Sequence, residues 1–212
     1  MAILVVRNKD FVRSQGLRRH YGQDELLIPF EPRNAAAAND MCQSLMKYVE
    51  QSGRRIVAGE KVTWATSMIR FNLEGEFLVA HGLDIKQDIF KRGVDELLDT
   101  WKRQREVCQK GGSEYVNTRL EDMIVVSPDL LIDSSKVMEG FRYPPKVPNC
   151  GWWLIGESFS GELESMQRVH VGHVVRLHLS VVDYLALAPG FSFRPDTGAV
   201  WFNDEASRRE PV

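Results

Sequence analysis

Residues 62–80 read VTWATSMIRFNLEGEFLVA, and this stretch decides the fold class. Residues 62–73 are dense in β-branched and aromatic side chains, Glu74-Gly75 suits a tight turn, and 76–80 run back, so the whole reads as a β-hairpin. Helical sequence flanks it on both sides. Upstream, residues 35 to about 51 place Ala38, Met41, Cys42, Leu45 and Val49 on one apolar stripe. Asn34 is the expected N-cap and Ser52-Gly53 the stop. Downstream, the longest helix is predicted from about 85 to 109, with Phe90, Val94, Leu97, Leu98, Trp101, Arg105 and Cys108 on one face. Asp99 and Arg103 stand at i,i+4 on that helix, and Gly111-Gly112 ends it. A hairpin between two such helices predicts an α+β fold: an antiparallel sheet with two amphipathic helices.

Working outward, residues before about 33 mix short apolar runs (3–6 and 26–30) with a basic stretch at 13–20. Residues 55–58 read as a short strand and 123–126 as another, with Ser127-Pro128-Asp129 as a turn or helix start. Pro144, Pro145 and Pro148 crowd into five residues, and such a run resists helix and central strand alike. The expected organisation is therefore an N-terminal α+β region (1–142), a proline-rich connection (143–148), a small C-terminal α+β domain (149–205) and a loose tail (206–212). Within that small domain GWWLIGE (151–157) is a strand, followed by an acidic loop through Glu164. Residues 170–179 suit strand or helix, 180–188 suit a short helix halted by Pro189-Gly190, and 191–203 form a hairpin about Pro195-Asp196-Thr197-Gly198.

At 212 residues the chain has room for one large domain or two small ones, and its hydrophobic share (43%) and charged share (26%) are those of a globular protein. Lys and Arg total 27 against 29 for Asp and Glu, a net charge of -2. That balance removes the main electrostatic reason to expect nucleic-acid binding. The apolar run at 2–6 is too short for a signal peptide, and no stretch approaches the ~18 apolar residues of a membrane span. Cys42, Cys108 and Cys150 are odd in number and far apart, which argues against a disulfide framework and for a reducing, cytoplasmic setting.

Catalytic candidates are few. His170, His173 and His178 could supply metal ligands, and they carry the alternative reading of a metal-dependent hydrolase or transferase. Their spacing lacks HExxH, with no carboxylate between the first two, so no metal is expected. Cys42 and Cys108 sit on apolar helix stripes, and Cys150 has no base near it in sequence. The run Gly156-Glu157-Ser158-Phe159-Ser160-Gly161 misses the G-x-S-x-G register, and no phosphate-binding glycine loop occurs. No catalytic residue and no cofactor are expected. A regulatory or scaffold module is a third reading.

Two features point to binding. Glu157, Glu162 and Glu164 put three carboxylates in one polar loop, either a solvated loop or a patch that meets a basic partner. Trp152 and Trp153 are adjacent on a strand and must face opposite ways. Trp152 and Trp201 are expected in the core, and Trp153 is the candidate for partner contact.

Gly151-Trp152, Gly156-Glu157, the acidic loop, the apolar run at 174–179, Leu185, Pro189-Gly190, Phe193, Arg194 and Trp201 together resemble a small immunity-protein domain. Such domains accompany bacterial polymorphic toxins and type VI secretion effectors. The family pattern is a Gly-Trp strand, a following Gly-Glu or Gly-Asp, and a Pro-Gly-x-x-Phe-x-Arg segment leading to a last strand. The resemblance covers about 149–204, and the first 148 residues do not share it. It implies neutralisation of a cognate toxin by direct binding, without cofactor, catalytic residues, membrane contact or direct nucleic-acid binding. A cytoplasm-acting nuclease effector is the toxin class that suits an acidic loop, because nuclease clefts are basic.

Overall fold

The computed structural model describes residues 3–132 and 136–208. The chain divides into two compact units, Met1–Asp99 and Thr100–Val212.

The first unit opens with β1 (Leu4–Arg7), β2 (Phe11–Gln15), the short helix α1 (Leu17–Tyr21) and β3 (Glu25–Pro29). Helix α2 (Ala35–Ser52) follows, then β4 (Lys61–Thr63), β5 (Met68–Glu74), β6 (Phe77–Asp84) and β7 (Ile89–Arg92). The sheet order is β1-β2-β3-β6-β5-β4, with β7 also on β6. Val12, Leu26, Ile28, Ile69, Phe71, Leu78 and Ala80 are fully or almost fully buried, and α2 lies against β1, β2 and β3 with Ala38, Met41, Cys42, Leu45 and Val49 buried. Gly53, at φ 64, closes α2 through its N–H to the Val49 carbonyl. Asn34 does not cap it: its side-chain amide donates to Asp95 Oδ1 at 2.8 Å.

The turn of the predicted hairpin joins β5 to β6, but the strand expected over 62–73 divides into β4 and β5, which pair with each other, and 55–58 form no strand; the sequence before residue 33 supplies three strands. The second predicted helix begins late. Helix α3 spans Asp95–Gly111, and the residues expected to be its first turns form β7 instead. The apolar spacing of Phe90 and Val94 is helical, but β7 pairs with the free edge of β6. Gly93, at φ 97, then turns the chain before the helix starts.

In the second unit α3 is followed by β8 (Met123–Val126), β9 (Val137–Arg142), β10 (Asn149–Gly156), β11 (Gln167–His170) and α4 (Val171–Leu177). The hairpin β12 (Phe191–Arg194) and β13 (Ala199–Phe202) comes next, then α5 (Asp204–Arg208). Strand order is β11-β8-β10-β9-β12-β13. The α+β class is as read, but neither sheet is wholly antiparallel, since β3–β6 and β8–β10 are parallel pairs. The proline-rich residues 143–148 lie inside this unit, joining β9 to its sheet neighbour β10, with 145–148 exposed and the Val147–Pro148 peptide cis. Prolines suit that place because an exposed connection has no ladder to donate to. Residues 171–177 are helical, and 179–184 form a 3-10 turn where a short helix was expected. The predicted tail begins within α5, and 209–212 lie outside the described residues. Among the described residues no helix is long and apolar enough to cross a membrane.

Candidate partner-binding face

Strand β10 places its two tryptophans on opposite sides of the second sheet. Trp152 is fully buried, its Nε1 donating to the Leu185 carbonyl at 3.1 Å. Its ring meets Phe193 edge-on at 5.2 Å, and Phe193 stacks on Tyr184 at 4.4 Å. Arg142, opposite Trp152 on β9, is also buried. Its guanidinium donates to the carbonyls of Val116 (2.9 Å), Leu185 (3.3 Å), Cys150 (3.3 Å) and Leu187. Burial pushes Arg142 down to about 10, so it stays a cation at neutral pH, solvated by backbone dipoles. Thr118 Oγ1 also donates to Leu185 O, at 2.7 Å. Two irregular segments, one around Val116 and one around Leu185 to Leu187, are thus tied to the sheet by one arginine and one tryptophan.

The glycines of the recognised pattern have the same structural purpose. Gly151 sits at φ +89, and a Cβ there would lie 2.1 Å from the Tyr143 carbonyl oxygen. A Cβ on Gly156 would lie 2.1 Å from Asp129 Oδ2. Asp129 accepts from Ser127 Oγ (2.6 Å) and the Ser158 N–H (3.0 Å), while Ser127 Oγ accepts the Gly156 N–H (2.8 Å). This clamp fixes the point where the acidic loop leaves the sheet.

Trp153 is half-buried on the other side. Pairing runs Arg168, Val125, Trp153, Phe141, Ser192, Trp201 across all six strands, and directly paired residues share a face. Phe141 and Trp201 are half-buried as well, and Tyr143 meets Trp153 edge-on at 5.7 Å. Arg194 bonds Glu139 at 3.0 Å and lies over the Trp201 ring at 5.6 Å. Part of this face is covered, since Ser192 is buried beneath Asn203, whose Nδ2 donates to its Oγ at 3.4 Å, and α5 contacts β9. Trp201 is therefore not the core residue its hydrophobicity suggested; its register opposite Ser192 puts it on the outer side. Phe141 and Tyr143 escaped the sequence reading because they border the prolines, and only the β9–β10 register brings them to Trp153.

Glu157, Glu162 and Glu164 are all exposed, on the loop between β10 and β11. The histidines do not converge. His170 and His173 have ring centroids 6.1 Å apart, and His170 Nδ1 contacts the Glu121 carbonyl at 3.0 Å. His178 is buried against the Leu130 carbonyl at 2.7 Å. Among the described residues no group of three or more His, Cys, Asp or Glu could hold a metal. All three cysteines are buried, and burial raises each thiol, Cys42 to about 12, so none is a ready nucleophile at neutral pH.

Residues 103–203 match the Imm33-like domain family. The match spans the C-terminal half of α3 and the whole second sheet, a longer stretch than 149–204, and it supports an immunity-type domain family for these residues. No curated protein and no solved structure matches the chain. The aromatic face and the acidic loop both belong to the Imm33-like region.

Proposed function

We propose that this chain is an immunity protein, neutralising a cognate toxin that acts in the cytoplasm by direct protein–protein contact. The observation that carries this reading is the Imm33-like match over a unit with one packed sheet face and one partly covered, tryptophan-bearing face. Half-buried aromatic side chains are the usual anchors of tight interfaces. Trp153 is the central anchor, with Phe141 and Trp201 beside it in the row. Glu157, Glu162 and Glu164 form the acidic rim, which steers association with a basic surface. A nuclease, such as a type VI secretion effector, fits that rim best, because its cleft is basic to hold phosphate. Binding, not catalysis, is the mechanism: the chain occludes the toxin, with no cofactor.

Co-expression with a candidate toxin from the same genome is the test. Growth should be restored, and the purified pair should elute as one complex. Arrest of growth by that toxin in the presence of soluble chain overturns the reading.

A further inference from the structure

The first sheet carries a row of a different kind. Lys61 of β4 pairs with Arg70 of β5, Arg70 with His81 of β6, and His81 with Arg92 of β7. Four basic side chains therefore stand on one face, about 4.8 Å apart from strand to strand. This is the side opposite the buried Ile69, Phe71, Leu78 and Ala80. Arg13 shares it through the pairings Arg13–Leu27 and Leu27–Val79.

Like charges directly opposite each other destabilise a sheet. One end of the row is offset: Glu74 holds His81 at 2.8 Å and Arg92 at 3.1 Å. Those hydrogen bonds keep its carboxyl below the usual range. The other end is not offset. Among the described residues Lys61 and Arg70 have no carboxylate partner; both lie over the Phe90 ring, at 5.5 and 4.8 Å. Arg70 Nε is buried without a hydrogen-bond acceptor. Exposed Lys61 and half-buried Arg70 thus form a positive patch that carboxylates from outside would offset.

We infer that this face docks an acidic polypeptide segment. A carboxylate over Lys61 and Arg70 would complete the row as Glu74 completes its other end. Single-stranded nucleic acid fits less well. Stacking needs bare aromatic faces, whereas Phe90 lies beneath Lys61 and Arg70 and Phe77 beneath Arg13 at 5.7 Å. The inference is independent of what the Imm33-like region binds.

Fluorescence anisotropy of labelled oligoglutamate against the full chain at low salt is the test, with labelled oligothymidylate run beside it. Oligoglutamate should bind more tightly and release as salt rises. Lys61→Glu with Arg70→Glu should weaken it by about tenfold or more, and Lys61→Arg with Arg70→Lys should retain it. Glu74→Gln frees His81 and Arg92 and should strengthen binding, a gain that misfolding cannot produce. The inference is overturned by absent oligoglutamate binding, by tighter oligothymidylate binding, or by unchanged affinity in the charge-reversed or Glu74→Gln chains.

Discussion

Across the second sheet the outer row reads Arg168, Val125, Trp153, Phe141, Ser192, Trp201; across four strands of the first it reads Lys61, Arg70, His81, Arg92. Their inner faces are alike, each a layer of buried apolar side chains. The difference lies outside. One outer face offers aromatic area beside a loop with three glutamates, the other offers cations in register. Packing is thus carried by the inner sides of these strands and the proposed recognition by their outer sides, and β10 holds one residue of each kind at Trp152 and Trp153.

That separation can be broken by mutating the neighbours. Trp152→Ala should cost about 3–5 kcal/mol in urea denaturation of the second unit, because it opens a cavity and removes one of the three donors to the Leu185 carbonyl. Trp153→Ala should cost well under that, yet lower toxin affinity by about 2 kcal/mol or more. Equal losses of stability in the two variants would erase the distinction. Next in size, Arg142→Met should cost about 1–3 kcal/mol, since it leaves the Val116 and Leu187 carbonyls without their donor. Gly156→Ala should cost about 1–2 kcal/mol by pushing Asp129 off the Ser158 N–H, and it should loosen the start of the acidic loop. Proteolysis within residues 157–166 would report that loosening.

The smallest effect concerns the first unit and pH. Burial, and then Glu25, raise Cys42 from 9.0 to about 12, so the folded chain holds a proton that the unfolded chain loses earlier. This contribution is complete below pH 9 and disappears as pH rises towards 12. The melting temperature should fall across that window, less steeply in Cys42→Ala. An identical fall in both proteins would mean that other groups dominate.

How much of this was legible in the sequence depended on how local the signal was. The strand expected over 62–73 divides into β4 and β5, whereas helix α2, the turn at Glu74-Gly75, the β12–β13 hairpin and the GWWLIGE strand each carry their own periodicity or turn residues and formed as read. Strand β7 does not: Phe90 and Val94 fit a helix equally well, and only the unfilled edge of β6 selects the strand. For the candidate face, Trp153 and the three glutamates were nameable because adjacent tryptophans must diverge and loops expose their charges. Phe141, Trp201 and the basic row were not, because each depends on a register between strands distant in sequence. Arg142 ends the expected N-terminal region, beside the proline run; its burial follows from its place opposite Trp152.

The outer face and acidic rim of residues 103–203 are the proposed toxin-binding surface. Calorimetry of the toxin against the wild-type chain and against Glu157→Lys, Glu162→Lys and Glu164→Lys combined tests this most directly. All three positions are exposed, so circular dichroism should show an intact fold in the triple variant. Reversed charges facing a basic surface turn attraction into repulsion, and affinity should fall by about 2–5 kcal/mol. Unchanged affinity in a folded triple variant would contradict the account and remove the acidic loop from the interface.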